Sequence, residues 1–265
     1  MKLRPPLSYL VELWRYARSC GLWSLLLLIQ TACPRMRIVR ESNAVKVSSE
    51  TAKHHYVYAA MGASDTQGAG ASDYKHGYVA ILHKWLKTAT GHEWRLINVG
   101  RSGARITDLA KRQLALVVRA QPHVVTIWTG GNDVRHHVHP RSFERWLAYI
   151  LCSLRTKTEA VIAIANLPEM QRQPFAKSLP LSEREWLKRR VDVYNQIISR
   201  LAKHYDATLV DLSRGSLMYE PSNFSSDGLH PNDRGYVGIA ERFFEAIELQ
   251  LQSMKGERSN EPIGR

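Results

Sequence analysis

The sequence predicts an α/β fold built on a five-stranded parallel sheet, and three observations predict it. Short apolar runs recur along the chain, amphipathic stretches separate them in alternation, and the runs are almost continuously apolar instead of alternating with polar residues. Repeated strand–helix alternation builds a parallel sheet with right-handed crossovers. Continuous apolarity marks strands covered on both faces.

The strand runs are Tyr56–Met61, Trp94–Val99, His123–Thr129, Ala160–Ala165 and Thr208–Leu212. Helical patterns fall near residues 75–89, 105–120, 142–157, 182–204 and 232–252. Ile81, Trp85 and Leu86 carry the 3.6-residue spacing in the first, and Val191, Tyr194, Ile197, Ile198 and Leu201 carry it in the fourth. Together they predict one globular domain over residues 54–252, followed by a polar tail over 253–265. No glycine-rich phosphate fingerprint follows the first run: Met61-Gly62-Ala63-Ser64-Asp65-Thr66-Gln67-Gly68 has neither the dinucleotide nor the P-loop spacing.

Residues 1–53 have a different character. Arg4, Arg15 and Arg18 precede the apolar run from Gly21 to Ile29, and Gln30-Thr31-Ala32 leads to Cys33. A positive flank, a short apolar core and small residues before a cysteine predict an export or membrane-tethering segment over 1–33, with a lipoprotein attachment point at Cys33. Residues 34–53 read as a polar linker. Two other readings stand beside this one. Leu7, Leu10, Leu13, Trp14 and Ala17 fit an amphipathic membrane-surface helix. Translation from Met36 would give a cytoplasmic protein.

Composition narrows the function classes. At 265 residues and 44% hydrophobic, with 7 Trp, 11 Tyr and 5 Phe, the chain is too apolar for intrinsic disorder. No run approaches the roughly 18–20 apolar residues of an ordinary membrane-spanning helix. Three cysteines cannot form a disulfide framework, and Cys152 reads as a small core residue. The net charge of +13, from 37 Lys+Arg against 24 Asp+Glu, is spread along the chain without zinc-finger or RNA-recognition spacing. It reads as a solvated basic surface suited to anionic lipid or acidic polymers, not as a nucleic-acid interface. The histidine-dense Arg135-His136-His137-Val138-His139-Pro140 has no carboxylate or cysteine at ligand spacing, so it reads as a loop at the mouth of a site and not as a metal centre.

In an open α/β sheet, ligands bind outside the carboxyl ends of the strands. Gly62-Ala63-Ser64-Asp65 follows the first run, Asn98-Val99-Gly100-Arg101-Ser102-Gly103 the second, and Gly130-Gly131-Asn132-Asp133 the third. The loop before the last helix holds Ser226-Asp227-Gly228-Leu229-His230-Pro231-Asn232. A hydroxyl, a glycine amide, a side-chain amide and an Asp/His pair thus meet at one edge, which is what acyl transfer requires. A serine needs an imidazole to remove its proton, and His230 is the candidate base. Asp227, three residues earlier in a glycine-containing loop, can accept from His230 Nδ1 and fix its tautomer. The Ser64 and Gly103 N–H groups and the Asn132 amide would hold the oxyanion.

Each residue alone has a blander reading. A serine after a strand is ordinarily a turn or helix cap, Gly103 a turn glycine, Asn132 a cap for the following helix, and Asp-x-x-His a loop hydrogen bond. Asp65 and Asp133 read as capping or loop-bonding residues. Trp128, Leu167, Pro168 and Phe175 are candidates for a substrate pocket, and the Pro-rich segment 166–181 for a mobile flap over it.

The four blocks in this order resemble the SGNH hydrolases, the GDSL esterase/lipase family, over about residues 56–250. The resemblance implies a flavodoxin-like three-layer α/β/α sandwich that works without metal or organic cofactor. It implies Ser64 as nucleophile, Gly103 and Asn132 as oxyanion-hole donors, and His230 with Asp227 completing the triad. One position departs: the family has Gly-Asp-Ser, whereas Ala63 precedes Ser64 here and Asp65 follows it. The function expected is hydrolysis of a carboxylic ester, whether small-molecule, lipid or polysaccharide. Acyl transfer on the same scaffold and a non-catalytic envelope-binding module are the alternatives.

Overall fold

The computed structural model describes residues 56–256. The expected export segment, the linker, Cys20, Cys33 and Met36 lie outside the described residues, as does the tail from residue 257. Strands β1 (Tyr56–Gly62), β2 (Trp94–Asn98), β3 (Val124–Trp128), β4 (Val161–Ala165) and β5 (Thr208–Val210) form one parallel sheet in the order β2-β1-β3-β4-β5. The helices are α1 (Ser64–Gln67), α2 (Tyr78–Thr90), α3 (Ile106–Asp108), α4 (Leu114–Ala120), α5 (Gly131–Arg135), α6 (Pro140–Lys157), α7 (Leu181–His204) and α8 (Asp233–Gly256). A π-helical turn, Leu109–Gln113, joins α3 to α4. The fold is the expected three-layer α/β/α sandwich.

The strand order explains the layers. The chain moves outward from β1 to β2, then returns past β1 to β3 and continues to β5. With crossovers of constant hand, that reversal switches the face on which the connecting helices lie. Accordingly Leu82 and Leu86 of α2 share one buried cluster with Tyr236, Ile239 and Phe243 of α8. Leu114 and Val117 of α4, Leu147 and Leu151 of α6, and Val191, Tyr194 and Ile198 of α7 fill the other. β1 and β3 are buried throughout and β4 nearly so, as continuous apolarity requires. The edge strands are not: Arg95 and Asn98 of β2 and Leu209 of β5 are exposed, because no neighbouring strand or full helical layer covers them.

Boundaries differ from expectation where local chemistry intervenes. The first helical region divides into a 3₁₀ turn, Tyr74–His76, and α2, separated by the extended Gly77. The stripe that α2 buries is Tyr78, Val79, Leu82 and Leu86; Ile81 and Trp85 flank it, with Trp85 edge-on to Phe244. α6 starts at Pro140, since a proline at the first helical position gives up no hydrogen bond, and His139 Nδ1 accepts from the Arg141 N–H at 3.2 Å. α8 runs to Gly256, four residues past the expected end of the domain at 252. Cys152 is buried in α6. Among the described residues no helix is long and apolar enough to cross a membrane.

Candidate active site

The switch point lies between β1 and β3, whose neighbours in the order were laid down in opposite directions. Ser64 begins α1 two residues beyond the end of β1. Its Oγ lies 2.9 Å from His230 Nε2, and His230 Nδ1 lies 2.5 Å from Asp227 Oδ2. The sequence-predicted serine, histidine and aspartate therefore form one continuous hydrogen-bonded line.

The loop carrying His230 is shaped by its own backbone. Phe224 and Pro231 form an antiparallel bridge, the Ser225 N–H donates to the His230 carbonyl at 2.9 Å, and the Gly228 N–H donates to the Ser225 carbonyl at 3.0 Å. The chain folds back so that Asp227 Oδ1 accepts from the N–H groups of Leu229 (2.8 Å) and His230 (2.9 Å) and from the Ser225 hydroxyl (2.8 Å). Partial burial opposes ionisation of Asp227. The hydrogen bonds from the His230 ring, these two amides and Ser225 outweigh it and hold the carboxyl well below the usual carboxylate range. Asp227 is thus ionised at neutral pH and serves His230 as an acceptor.

The expected oxyanion donors converge on the same place. Gly103 has φ +76°, a left-handed conformation that favours glycine, and a Cβ there would stand in open space over the site. Neither the Ser64 nor the Gly103 N–H has an acceptor among the described residues. The Asn132 amide donates one hydrogen to the Ala104 carbonyl at 3.0 Å, which orients it and leaves its second hydrogen free. Asn132 does not cap its helix; Gly130 is at the N-cap. Ser64, Gly103, Asn132 and His230 all line a cavity of about 390 Å³ together with Asp65, Trp128, Thr129, Arg135, His136, Leu167, Pro168 and Met218. Phe175 is not in that lining: it packs on the core, and its N–H donates to the Gly228 carbonyl at 3.0 Å.

Further residues hold this arrangement: Gln113, Asn98 and Gln67, to which the sequence reading gave no role, and Asp133, which it read as a capping or loop-bonding residue. Gln113, swung inward by the π turn and buried, donates to the Gly62 carbonyl at 2.9 Å and accepts from the Gly62 N–H at 3.0 Å. It pins the end of β1 just before the serine. Asn98 Nδ2 donates to the Thr66 carbonyl at 2.7 Å and Gln67 Oε1 accepts from the Ser102 N–H at 2.8 Å, tying α1 to the Gly103 loop. The Asp133 carboxylate accepts from the Ile106 N–H at 3.0 and 3.2 Å, anchoring the far end of that loop. Burial pushes Asp133 up to about 7 against that hydrogen bond and the nearby Arg105 charge. Burial likewise raises Asp65 to about 6, with the His230 charge opposing it. For Gln113 and Asn98 the only signal in the sequence is a polar side chain on an otherwise apolar helix face or strand end.

The 166–181 segment is no free flap. Asn195 of α7 accepts from the Leu167 N–H and donates to the Leu167 carbonyl, both at 2.8 Å, and Arg172 lies 3.7 Å over the Tyr219 ring while pairing with Glu169 at 2.8 Å. The histidines after Asn132 go separate ways. The His137 ring lies against Trp186, tilted by 46° at 4.5 Å between ring centres, His139 caps α6, and His136 stays at the cavity. Among the described residues no group of three or more His, Cys, Asp or Glu gathers at metal-binding distances.

The sequence model of the GDSL-like lipase/acylhydrolase family matches residues 60–237, which takes in the end of β1, the serine, the Gly103 and Asn132 loops and the Asp227–His230 loop. The chain belongs to that family. Relatives within reach of it include thioesterase 1/protease 1/lysophospholipase L1 of Escherichia coli, 25% identical over 147 residues, or 55% of this chain and 64% of that protein. Esterase TesA of Pseudomonas aeruginosa is 25% identical over 159 residues, 60% of this chain and 72% of that one. The match thus spans under two thirds of the Escherichia coli enzyme. Solved structures share the fold at low identity: TesA superposes with a TM-score of 0.61 at 21% identity, covering 73% of this chain and 98% of that one. A Clostridium thermocellum family 3 carbohydrate esterase superposes at 0.60 and 21%, covering 76% and 100%.

Proposed function

We propose that the chain is a serine hydrolase of carboxylic esters. Ser64 Oγ attacks the ester carbonyl while its proton passes to His230 Nε2, and Asp227 stabilises the imidazolium so formed. The carbonyl oxygen becomes an oxyanion that accepts from the Ser64 N–H, the Gly103 N–H and the free hydrogen of Asn132. Collapse expels the alcohol, which takes the proton back from Nε2. Water then attacks the acyl-enzyme by the same route and releases the acid.

One observation carries the reading: the line Ser64 Oγ–His230 Nε2–His230 Nδ1–Asp227, with separations of 2.9 and 2.5 Å, opens into a cavity whose other wall holds unpaired N–H donors. The family relationship supports the reaction class, since its relatives carry the names esterase, thioesterase and lysophospholipase. The test is turnover of 4-nitrophenyl acetate by the full chain and by Ser64→Ala. The wild type should hydrolyse it, and the variant should lose on the order of 10⁴-fold or more in kcat with its circular-dichroism spectrum unchanged. Full activity in Ser64→Ala removes the mechanism. For residues 1–33 we propose export or tethering, to be read from the mature N-terminus of the protein recovered from its native host.

A further inference from the structure

Resting on the hydrolase reading above, we propose that the substrate is an ester carrying a carboxylate or phosphate within a few atoms of the reacting carbonyl, recognised by Arg135 at the cavity wall.

Arg135 is three residues after Asn132 in the same short helix, α5, and spacing of three places two side chains on one helix face. Both residues line the cavity. A group held by Arg135 is therefore close to the oxygen held by Asn132. Arg135 is exposed, and its guanidinium has neither a hydrogen bond nor an acidic partner among the described residues. This contrasts with its surroundings. Glu169 is paired with Arg172 at 2.8 Å, and Asp108 accepts from the Arg105 N–H at 3.1 Å and faces Arg112. The one carboxylate in the cavity lining, Asp65, adjoins Ser64 and interacts with His230, so it belongs to the triad side. His136 follows Arg135 in the lining, and Arg101, exposed and without an acidic partner among the described residues, stands two residues before Gly103.

The cavity itself is not a purely apolar acyl slot. Thr129 lines it, is 4% exposed, and its Oγ1 has no hydrogen-bond partner among the described residues. A buried hydroxyl without a partner is costly unless something polar meets it. A guanidinium is suited to a planar carboxylate or a phosphate because its fixed fork of donors matches two oxygens at once. The net charge of +13 adds an attractive field for such a substrate.

Two matched ester pairs test this with the full-length protein. In the first the charge is on the acyl side, 4-nitrophenyl hydrogen adipate against 4-nitrophenyl hexanoate. In the second it is on the alcohol side, 4-acetoxybenzoate against 4-acetoxybenzamide. At low ionic strength the wild type should favour the anionic member of at least one pair by about tenfold or more in kcat/KM, and the pair that responds identifies the side. Arg135→Gln should bring that ratio down to near one, mainly through KM, while Arg135→Lys should keep part of it. Arg189→Gln on the exposed side of α7 should leave the ratio unchanged. A wild type that prefers the neutral member of both pairs, or a preference that survives Arg135→Gln, overturns the inference while leaving the hydrolase standing. No turnover of any of the four esters removes the hydrolase reading and the inference with it.

Discussion

Ser64 has its partner because Asp227 and His230 are only three residues apart in a loop that folds back on itself. At the residue scale, each member of the site has a separable job and a separable test. The Asn132 side chain offers one free hydrogen to the cavity while the other is tied to the Ala104 carbonyl. Asn132→Ala should lower kcat by about 10²–10³, or about 3–4 kcal/mol of transition-state stabilisation, with a much smaller change in KM. Steady-state kinetics with 4-nitrophenyl acetate measure this. Asp227 stays ionised down into strong acid because four donors face it, so a fall in activity on mild acidification does not come from its protonation. Asp227→Asn should lower kcat by about 10³ or more and leave the protein folded, since the amide oxygen still accepts from the loop N–H groups while the imidazole loses its acceptor geometry. The core members of the site were legible in the sequence. Ser64, Gly103, Asn132, Asp227 and His230 each follow an apolar run or precede the final helix, and the fold brings these ends together. Gln113, Ser225 and Asn98 were not legible. Gln113 and Asn98 work by hydrogen bonds across tens of residues and Ser225 by a bond within its own loop, and nothing in their local spacing distinguishes them from surface polar residues.

At the element scale, the site depends on how loops are tied to helices. Gly228 has φ +65°, and a Cβ there would lie 3.0 Å from the Phe175 N and 3.1 Å from the Pro174 Cβ. Gly228→Ala should destabilise the protein by roughly 1–3 kcal/mol and lower activity as well, because it displaces the loop that holds Asp227 and His230. Thermal denaturation and kinetics on one preparation check both. Asp133 ties α5 to the start of α3. Its pKa is raised on folding from 3.8 to about 7, so the folded state binds more protons than the unfolded state between those values. That contribution is fully present below pH about 4 and is lost as pH rises through about 7, at up to about 1.4 kcal/mol per pH unit. Urea unfolding of the wild type should therefore lose ground to Asp133→Asn between pH 4.5 and 7; parallel curves would show that the carboxyl is not held neutral. Asp65, raised to about 6, adds a slope of the same sign to both proteins. Strands and long helices were legible because apolarity at a fixed period is set by burial. The break at Gly77 and the π turn at Leu109–Gln113 were not, since each arises from where the flanking chain must dock and not from the periodicity of its own residues.

For the whole molecule, strand order decides where chemistry can happen. The reversal between β2 and β3 opens the crevice at the carboxyl ends of β1 and β3, and residues 64, 103, 132 and 230 reach it from four separate connections. The three-layer arrangement and the gathering of the four blocks both follow from the alternation seen in the sequence. The ties that turn a crevice into a preorganised site emerge only from three-dimensional packing. The central claim is that Ser64 is a nucleophile made reactive by this gathering, and covalent capture tests it most directly. The full-length protein is treated with a fluorophosphonate and read by intact mass and peptide mapping. The account expects one adduct, on Ser64, with esterase activity lost in proportion to labelling, no adduct in Ser64→Ala and slow labelling in His230→Ala. An unlabelled wild type that still hydrolyses esters, or an adduct on another residue that abolishes activity, would contradict it.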